Sequence, residues 1–442
     1  MFLTRIALRN VRSIESLALE FGTGSSGTRR WTLLLGENGC GKSSVLRAIA
    51  LLLAGSDALP DVLGEPDAWI RNGAKQCSIE GSLVTAKGET REIKLVINRG
   101  DGLKTIFERN SSSLEALDSA IVHADRNYFF LGYGVSRRPP VAKFHSRFPE
   151  ERSRSPRAQG MATMFSADAA LVSLEQWAMD LDYRKGKGAL AAVQEALDKL
   201  LPGMAFSKID RLQRQIMFKT VDGDVPLSQL SDGYQNMAAW CGDLLYRITE
   251  TFPDRKNPLG TRGVLLIDEL DLHLHPVWRR NLVDFLTDML PNFQFIATTH
   301  SALTAQQCGE GELYVLRREG KEQLPTVVPF VGEPRKMMLH QLLMSPMFGL
   351  STMDSVEVEQ ARTVVRRLST KTTTLTTDEK GELRSKRQVL ESAASWDAVP
   401  HYAKEQTALL KGIKASLVKN GKAPVVSSKK LKATAKMLGA KE

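Results

Sequence analysis

The stretch WTLLLGENGCGKSSVLRAIALLL, residues 31–53, decides the fold. WTLLLG (31–36) is a short, continuously apolar run of the kind buried in a sheet covered on both faces. GENGCGKS (36–43) follows and fits G-x-x-x-x-G-K-[ST]. Val45, Leu46, Ile49, Leu52 and Leu53 then recur at helical spacing, with Gly55 as the expected stop. Strand, glycine loop and helix in this order form the context in which the motif cradles phosphates. Gly36, Gly39 and Gly41 let the backbone turn its N–H groups inward, and the helix start adds the positive end of a dipole. Lys42 is expected to reach the β and γ oxygens and Ser43 to offer a hydroxyl to Mg²⁺, with Asn38 and Ser44 as further nucleotide contacts. The two flanks favour this over a glycine turn that binds nothing.

Three more apolar runs continue the pattern: VLLID (264–268), FQFIATTH (293–300) and ELYVLRRE (312–319). PVWRRNLVDFLTDML (276–290) reads as one helix between the first two, with Pro276 in its first turn. Strand, helix, strand is the parallel α/β signature. Asp268 should emerge where VLLID ends, at the sheet edge where such folds bind ligands, and can share Mg²⁺ with Ser43. Glu269, next in line, is suited to polarising an attacking water. DELDLHLHP (268–276) also raises a rival, a zinc site on His273 and His275. Their i, i+2 spacing separates them on a helix, and no third ligand follows at metal spacing. His300 ends the FQFIATTH strand as a candidate sensor of the γ-phosphate. In LSDGYQ (230–235), Ser231 is placed to cap a helix running to about Glu250, and with Gly233 and the free N–H groups there it makes a second anion site.

Outside these motifs, TRIALRNVRSIESLALEF reads as two strands around a turn, and Cys77 to about Phe107 as an antiparallel set. RRPPVAKFHSRFPEERSRSPRAQG (137–160) reads as a loop. Helical patterns run from about Ala167 to Leu201, and strand-like SKIDRL and RQIMFKT follow. Beyond Gly332 the chain turns helical, and its last clear helix, from about Thr377 to Trp396, opens with Thr376 and Glu379 in capping-box spacing. Cys40, Cys77, Cys241 and Cys308 are scattered with no CxxC pair, which argues against a disulfide framework or thiolate zinc and for a reducing cytoplasm. No stretch reaches the roughly 18 apolar residues of a membrane span, and no signal peptide is visible. Of the formal charge of +10, +8 lies from Leu409 onward, where nine lysines face Glu442 alone. Such a tail could attract nucleic-acid phosphates, yet it lacks the aromatics and arginines that stack on or read bases. A mobile solvated tail is the plainer reading.

Taken together, these residues resemble the ABC-type ATPase domain shared by SMC-like, RecF-like and OLD-like proteins. GENGCGKS looks like its Walker A, LSDGYQ its signature, VLLIDE its Walker B, LDLHLHP its D-loop and TTHS its switch histidine. The likeness is strongest to short OLD-like ATPases of bacterial antiphage systems, such as the Septu, retron-associated and PARIS ATPases. It implies a P-loop ABC-type head of α/β class, with mixed and antiparallel sheet lobes, a short helical insertion and a helical C-terminal region. It further implies ATP and Mg²⁺ as cofactors, Lys42, Glu269 and His300 as catalytic groups, and Asp271 in a partner-facing D-loop. Arg12, in NVRSI, resembles a position near the nucleotide. FFLGYGVSRRPP stands where a Q-loop should be, which would give Tyr133, Ser136 and Arg137 that role.

Two such heads would sandwich ATP, Ser231 and Gly233 of one capping the γ-phosphate held by Lys42 of the other, in a homodimer or higher oligomer. The expected divisions are lobe I (1–136), a loop and helical insertion (137–226), lobe II (227–332), a helical region (333–408) and a basic tail (409–442). The insertion is too short for a coiled-coil arm, and no acidic cluster suited to two-metal cleavage follows His300. The function implied is an ATPase that controls a separately encoded nuclease or toxin. The alternatives are a DNA-repair ATPase acting on DNA itself and a low-turnover ATP sensor.

Overall fold

Apolar runs without alternation need cover on both faces, and the fold supplies it. The computed structural model describes residues 1–23, 27–85, 88–123, 129–137, 155–185, 187–200, 204–253, 255, 257–272, 274–319, 323–371 and 375–393. The chain forms two compact units, Met1–Ser351 and Thr352–Glu442. The first unit opens with β1 (Phe2–Val11), β2 (Ile14–Glu20), the two-residue pair β3 (Gly22–Thr23) and β4 (Gly27–Thr28), and β5 (Trp31–Gly36). There follow β6 (Gln76–Val84), β7 (Thr90–Asn98), β8 (Phe130–Tyr133), β9 (Ala205–Asp210), β10 (Gln215–Thr220) and β11 (Gly223–Pro226). β12 (Gly263–Ile267), β13 (Phe293–Thr299), β14 (Leu313–Glu319) and β15 (Leu324–Pro329) complete the strands.

The central sheet has the order β15-β14-β5-β13-β12-β8 and is parallel except for β15. Its strands send alternate residues to two cores. Leu33, Leu35, Leu265, Ile267 and Phe295 enter one, packed with residues of the helices Leu174–Lys185, Asp232–Thr251 and Leu282–Met289. Leu34, Leu266, Ile296 and Leu316 enter the other, under the helix Lys42–Leu52 and the antiparallel sheet β2-β1-β6-β7. Each such side chain, fully buried, stabilises the fold by about 1.5–3 kcal/mol. Gln294 ties the layers: its buried side-chain amide accepts from the Leu3 N–H (2.8 Å) and donates to the Leu3 carbonyl (2.7 Å). A third sheet, β11-β10-β9, is antiparallel. The expected α/β head with a mixed central sheet and antiparallel lobes is the observed one.

Several elements depart from expectation. The helix expected over 276–290 is two, Pro276–Arg279 and Leu282–Met289. Gln307 makes the break tolerable, its amide donating to the Arg279 carbonyl and accepting from the Val283 N–H. The P-loop helix does end just before Gly55 (φ +69), as expected, but a second helix, Gly55–Leu63, follows at once. The antiparallel set stops at Asn98, and helices Leu103–Arg109 and Ser111–His123 follow. Among the described residues after Ala167, helix begins only at Leu174. The loop at 138–154, Pro202-Gly203 and the lysine tail lie outside the described residues.

In the second unit the helices Val356–Ser369 and Thr377–Ser392 pack together, linked by Lys371–Glu379 and Arg367–Glu382 ion pairs. The capping box is present as expected: Thr376 Oγ1 accepts from the Glu379 N–H (3.3 Å), and the Glu379 carboxylate accepts from the Thr376 N–H (3.0 Å). Among the described residues no helix is long and apolar enough to cross a membrane.

Candidate nucleotide-binding site

β5 ends at Gly36, and the next five residues form the loop that leads into the helix Lys42–Leu52. A side chain at Gly36 would collide with the Leu316 carbonyl of neighbouring β14. Gly39 (φ +76) and Gly41 (φ +100) sit in backbone conformations that L side chains rarely adopt, so the loop needs glycine at both. Lys42 is buried, and its Nζ donates to the carbonyls of Gly36 and Glu37, each at 2.8 Å. Burial pushes its pKa down, while Cys40, Asp268 and Glu269 pull it back up. Ser43 and Ser44 are half-buried in the first helical turn, and Asn38 is exposed.

The carboxylates arrive from β12. Asp268 follows its last residue and is buried, with Oδ1 accepting from Thr298 Oγ1 at 2.7 Å. The Glu269 N–H donates to the same Thr298 Oγ1 (2.7 Å), and Glu269 adopts a left-handed φ of +49. Its carboxylate stays half-buried at the strand end. His300 follows β13 directly and is exposed. Desolvation lowers its pKa first and Lys42 second, against the opposing pull of Glu269, Asp271 and Asp268. Lys42, Asp268, Glu269 and His300 therefore share one electrostatic neighbourhood at the C-terminal ends of adjacent parallel strands, the edge where such sheets bind ligands.

Hard oxygen donors suit Mg²⁺, which keeps several waters and takes one or two carboxylates plus phosphate oxygens. Ser43 and Asp268 fit that description, since the Thr298 hydroxyl engages only Oδ1 of Asp268. Among the described residues no group of three or more His, Cys, Asp or Glu side chains is placed to hold a metal. His275 instead caps the helix Pro276–Arg279, its Nδ1 accepting from the Val277 N–H at 3.3 Å. His273 lies outside the described residues.

The remaining candidates are held differently. Asp271 is buried and held within its own chain, accepting from Thr299 Oγ1 (2.7 Å) and paired with Arg279 (3.8 Å). Arg12 takes φ +52 and lays its guanidinium over Trp69, 4.7 Å from the ring centroid. Burial and Arg47 on the P-loop helix both lower its pKa, and its buried Nε has no hydrogen-bond partner among the described residues. Ser231 precedes the helix Asp232–Thr251, but its side chain makes no capping bond. That corrects the expected cap: Gln235 turns back instead, its amide donating to the carbonyls of Leu230 (2.6 Å) and Ser228 (3.2 Å). Ser231 is left exposed and Gly233 half-buried. No hydrogen bond or ion pair among the described residues joins either to Lys42, Asp268 or Glu269.

In the segment read as a Q-loop, Tyr133 is buried and donates to Asp243 (2.7 Å), which also accepts from Arg247 (2.9 Å) and the Val172 N–H (2.9 Å). Ser136 is half-buried, and Arg137 donates to the Glu269 carbonyl. Thr298, Thr299 and Asp243 are the residues sequence reasoning passed over. Two threonines beside His300 were the available signal for the first pair, because hydroxyls at a strand end have carboxylates to meet. Asp243 carried one too, as an acid on the apolar stripe of its helix.

Comparison with known proteins finds two family models and several curated relatives. Family models described as an AAA domain match residues 5–126, and as an AAA domain, putative AbiEii toxin, Type IV TA system, residues 180–305. The Septu protein PtuA of Bacillus mycoides is 28% identical over 350 residues, covering 79% of this chain and 45% of PtuA. The Retron Ec83 probable ATPase of Escherichia coli is 32% identical over 143 residues, 32% of this chain and 26% of that protein. The chain thus spans less than half the length of these relatives. An SMC head crystallised with the C-winged helix domain of ScpA aligns with a TM-score of 0.46 at 17% identity, covering 75% of this chain and 98% of that one. The chain is thus similar in part to AAA-domain families, and to the Septu protein PtuA and retron probable ATPases.

Proposed function

We propose that this chain binds ATP with Mg²⁺ and hydrolyses it in a pocket completed by a second copy, and that it thereby controls a separate effector nuclease or toxin in antiphage defence. The observation that carries the reading is the convergence of Lys42, Asp268, Glu269 and His300 at one sheet edge, above a glycine loop that tolerates no side chain at Gly36. Lys42 exchanges the Gly36 and Glu37 carbonyls for the β and γ oxygens of the nucleotide, since an ammonium is better met by phosphate than by neutral carbonyls. Ser43 and Asp268 hold Mg²⁺, which neutralises phosphate charge. Glu269 accepts a proton from the attacking water, and His300, at the end of β13, donates a hydrogen bond to the γ-phosphate. The uncapped hydroxyl of Ser231 and the helix start behind it form an exposed anion site suited to the γ-phosphate of a neighbouring copy. The relatives named Septu PtuA and retron ATPase support the defence context.

Steady-state ATP hydrolysis by the parent and Glu269→Gln tests the core of this reading. A loss of roughly 100-fold or more in kcat with retained nucleotide binding is expected. Equal turnover by the two would leave an ATP-binding scaffold.

A further inference from the structure

The peptide of Glu269 is held from both sides. Thr298 Oγ1 accepts from its N–H at 2.7 Å and donates its own hydrogen bond to Asp268, which fixes the strand-end side. On the other side the Arg137 guanidinium donates Nη2 to the Glu269 carbonyl at 2.5 Å. This clamp matters because Glu269 occupies a left-handed φ of +49, where a residue with a Cβ costs about 1–2 kcal/mol and persists only if its surroundings enforce it.

Arg137 is itself committed to the place. Its Cζ lies 6.0 Å from the ring centroid of Trp240, on the helix that Ser231 opens. Asp268, Asp271 and Glu269 hold its charge in place against desolvation, which brings its pKa down to about 10. It thus stays charged at neutral pH. A cavity of about 360 Å³, lined by Ser136, Arg137, Asn236, Trp240, Leu270 and Leu272, lies alongside. The Arg137 guanidinium therefore bonds the Glu269 backbone while facing Trp240 of the helix Asp232–Thr251.

We propose that Arg137 is a positioning residue that sets the backbone of Glu269, and so aims its carboxylate, from the first segment after β8. The inference rests on the reading of Glu269 as the base for ATP hydrolysis. Arg137 acts only through Glu269, so removing it costs turnover rather than nucleotide affinity. A misplacement of about 1 Å in a catalytic group costs on the order of 100-fold in rate.

The test is a four-member cycle of parent, Arg137→Gln, Glu269→Gln and the double variant, reading kcat and KM for ATP and nucleotide affinity by calorimetry. Arg137→Gln is expected to lower kcat by about 10- to 100-fold with affinity changed less than about threefold, and the double variant to match Glu269→Gln alone. Arg137→Lys, which keeps one donor, is expected to recover part of kcat, and it carries the comparison if the Gln variant does not fold. Parent-like turnover in Arg137→Gln, a loss confined to affinity, or a double variant well below Glu269→Gln overturns the proposal while the ATPase reading stands. If Glu269→Gln itself turns over like the parent, the ATPase reading is what fails, and the proposal falls with it.

Discussion

His300 stands exposed at the end of β13 with its imidazole biased towards the neutral form, first by desolvation and then by Lys42. A folded-state pKa below that of the unfolded chain means that protonating His300 disfavours the fold, so this contribution is present above the unfolded value and lost as pH falls. A triphosphate bound beside it reverses the local field and raises the pKa. Nucleotide binding at about pH 6 to 7 is therefore expected to take up a proton. Calorimetric titration in buffers of different ionisation enthalpy should show that uptake in the parent and lose it in His300→Gln. Identical buffer dependence in both would separate His300 from the phosphates. Residues such as Lys42, Asp268 and His300 were legible because the backbone places them: each follows a strand or opens a helix that its neighbours announce. Thr298 was not, because its role lies in a hydrogen bond to Asp268, 30 residues away, and Arg137 was read by resemblance to a Q-loop, without its bond to the Glu269 carbonyl 132 residues away. Arg12 was read by resemblance only, and its Nε has no hydrogen-bond partner among the described residues.

Two helix starts open on a hydroxyl residue and use it differently. Thr376 closes a capping box, whereas Ser231 leaves its N-cap side chain unused while Gln235 holds the preceding carbonyls. Thr376→Ala is expected to weaken its helix by about 1 kcal/mol, while Ser231→Ala should change stability by less than about 0.5 kcal/mol. Hydrogen exchange followed by mass spectrometry separates them: faster exchange over Asp378–Gly381 in the first variant, and unchanged rates over Gly233–Gln235 in the second. Comparable acceleration in both would mean that Ser231 caps after all. The strands with long apolar runs, β5, β12 and β13, were readable from end to end, since burial on two faces demands unbroken apolarity. β8 was not, because four residues beside two glycines form a strand only through pairing with β12. Nor was the break between Arg279 and Leu282, which depends on a distant glutamine, Gln307.

At the scale of the molecule, the central sheet works because its two faces are covered by different kinds of layer, helices on one side and an antiparallel sheet with the P-loop helix on the other. The alternation of Leu33, Leu34 and Leu35 between the cores was legible as a buried strand, but which layer each side would meet is tertiary information, exemplified by the Gln294 bridge to Leu3. Assembly lies one step further out. Ser231 and Gly233 open an exposed helix start with no bond to the Lys42 cluster of their own chain, so under this account they serve another copy. Sedimentation velocity of Glu269→Gln, with and without ATP and Mg²⁺, tests that most directly. The account predicts a nucleotide-dependent shift to a dimer or larger species, abolished when Ser231→Arg is added. An unchanged sedimentation coefficient with ATP demonstrably bound would contradict it.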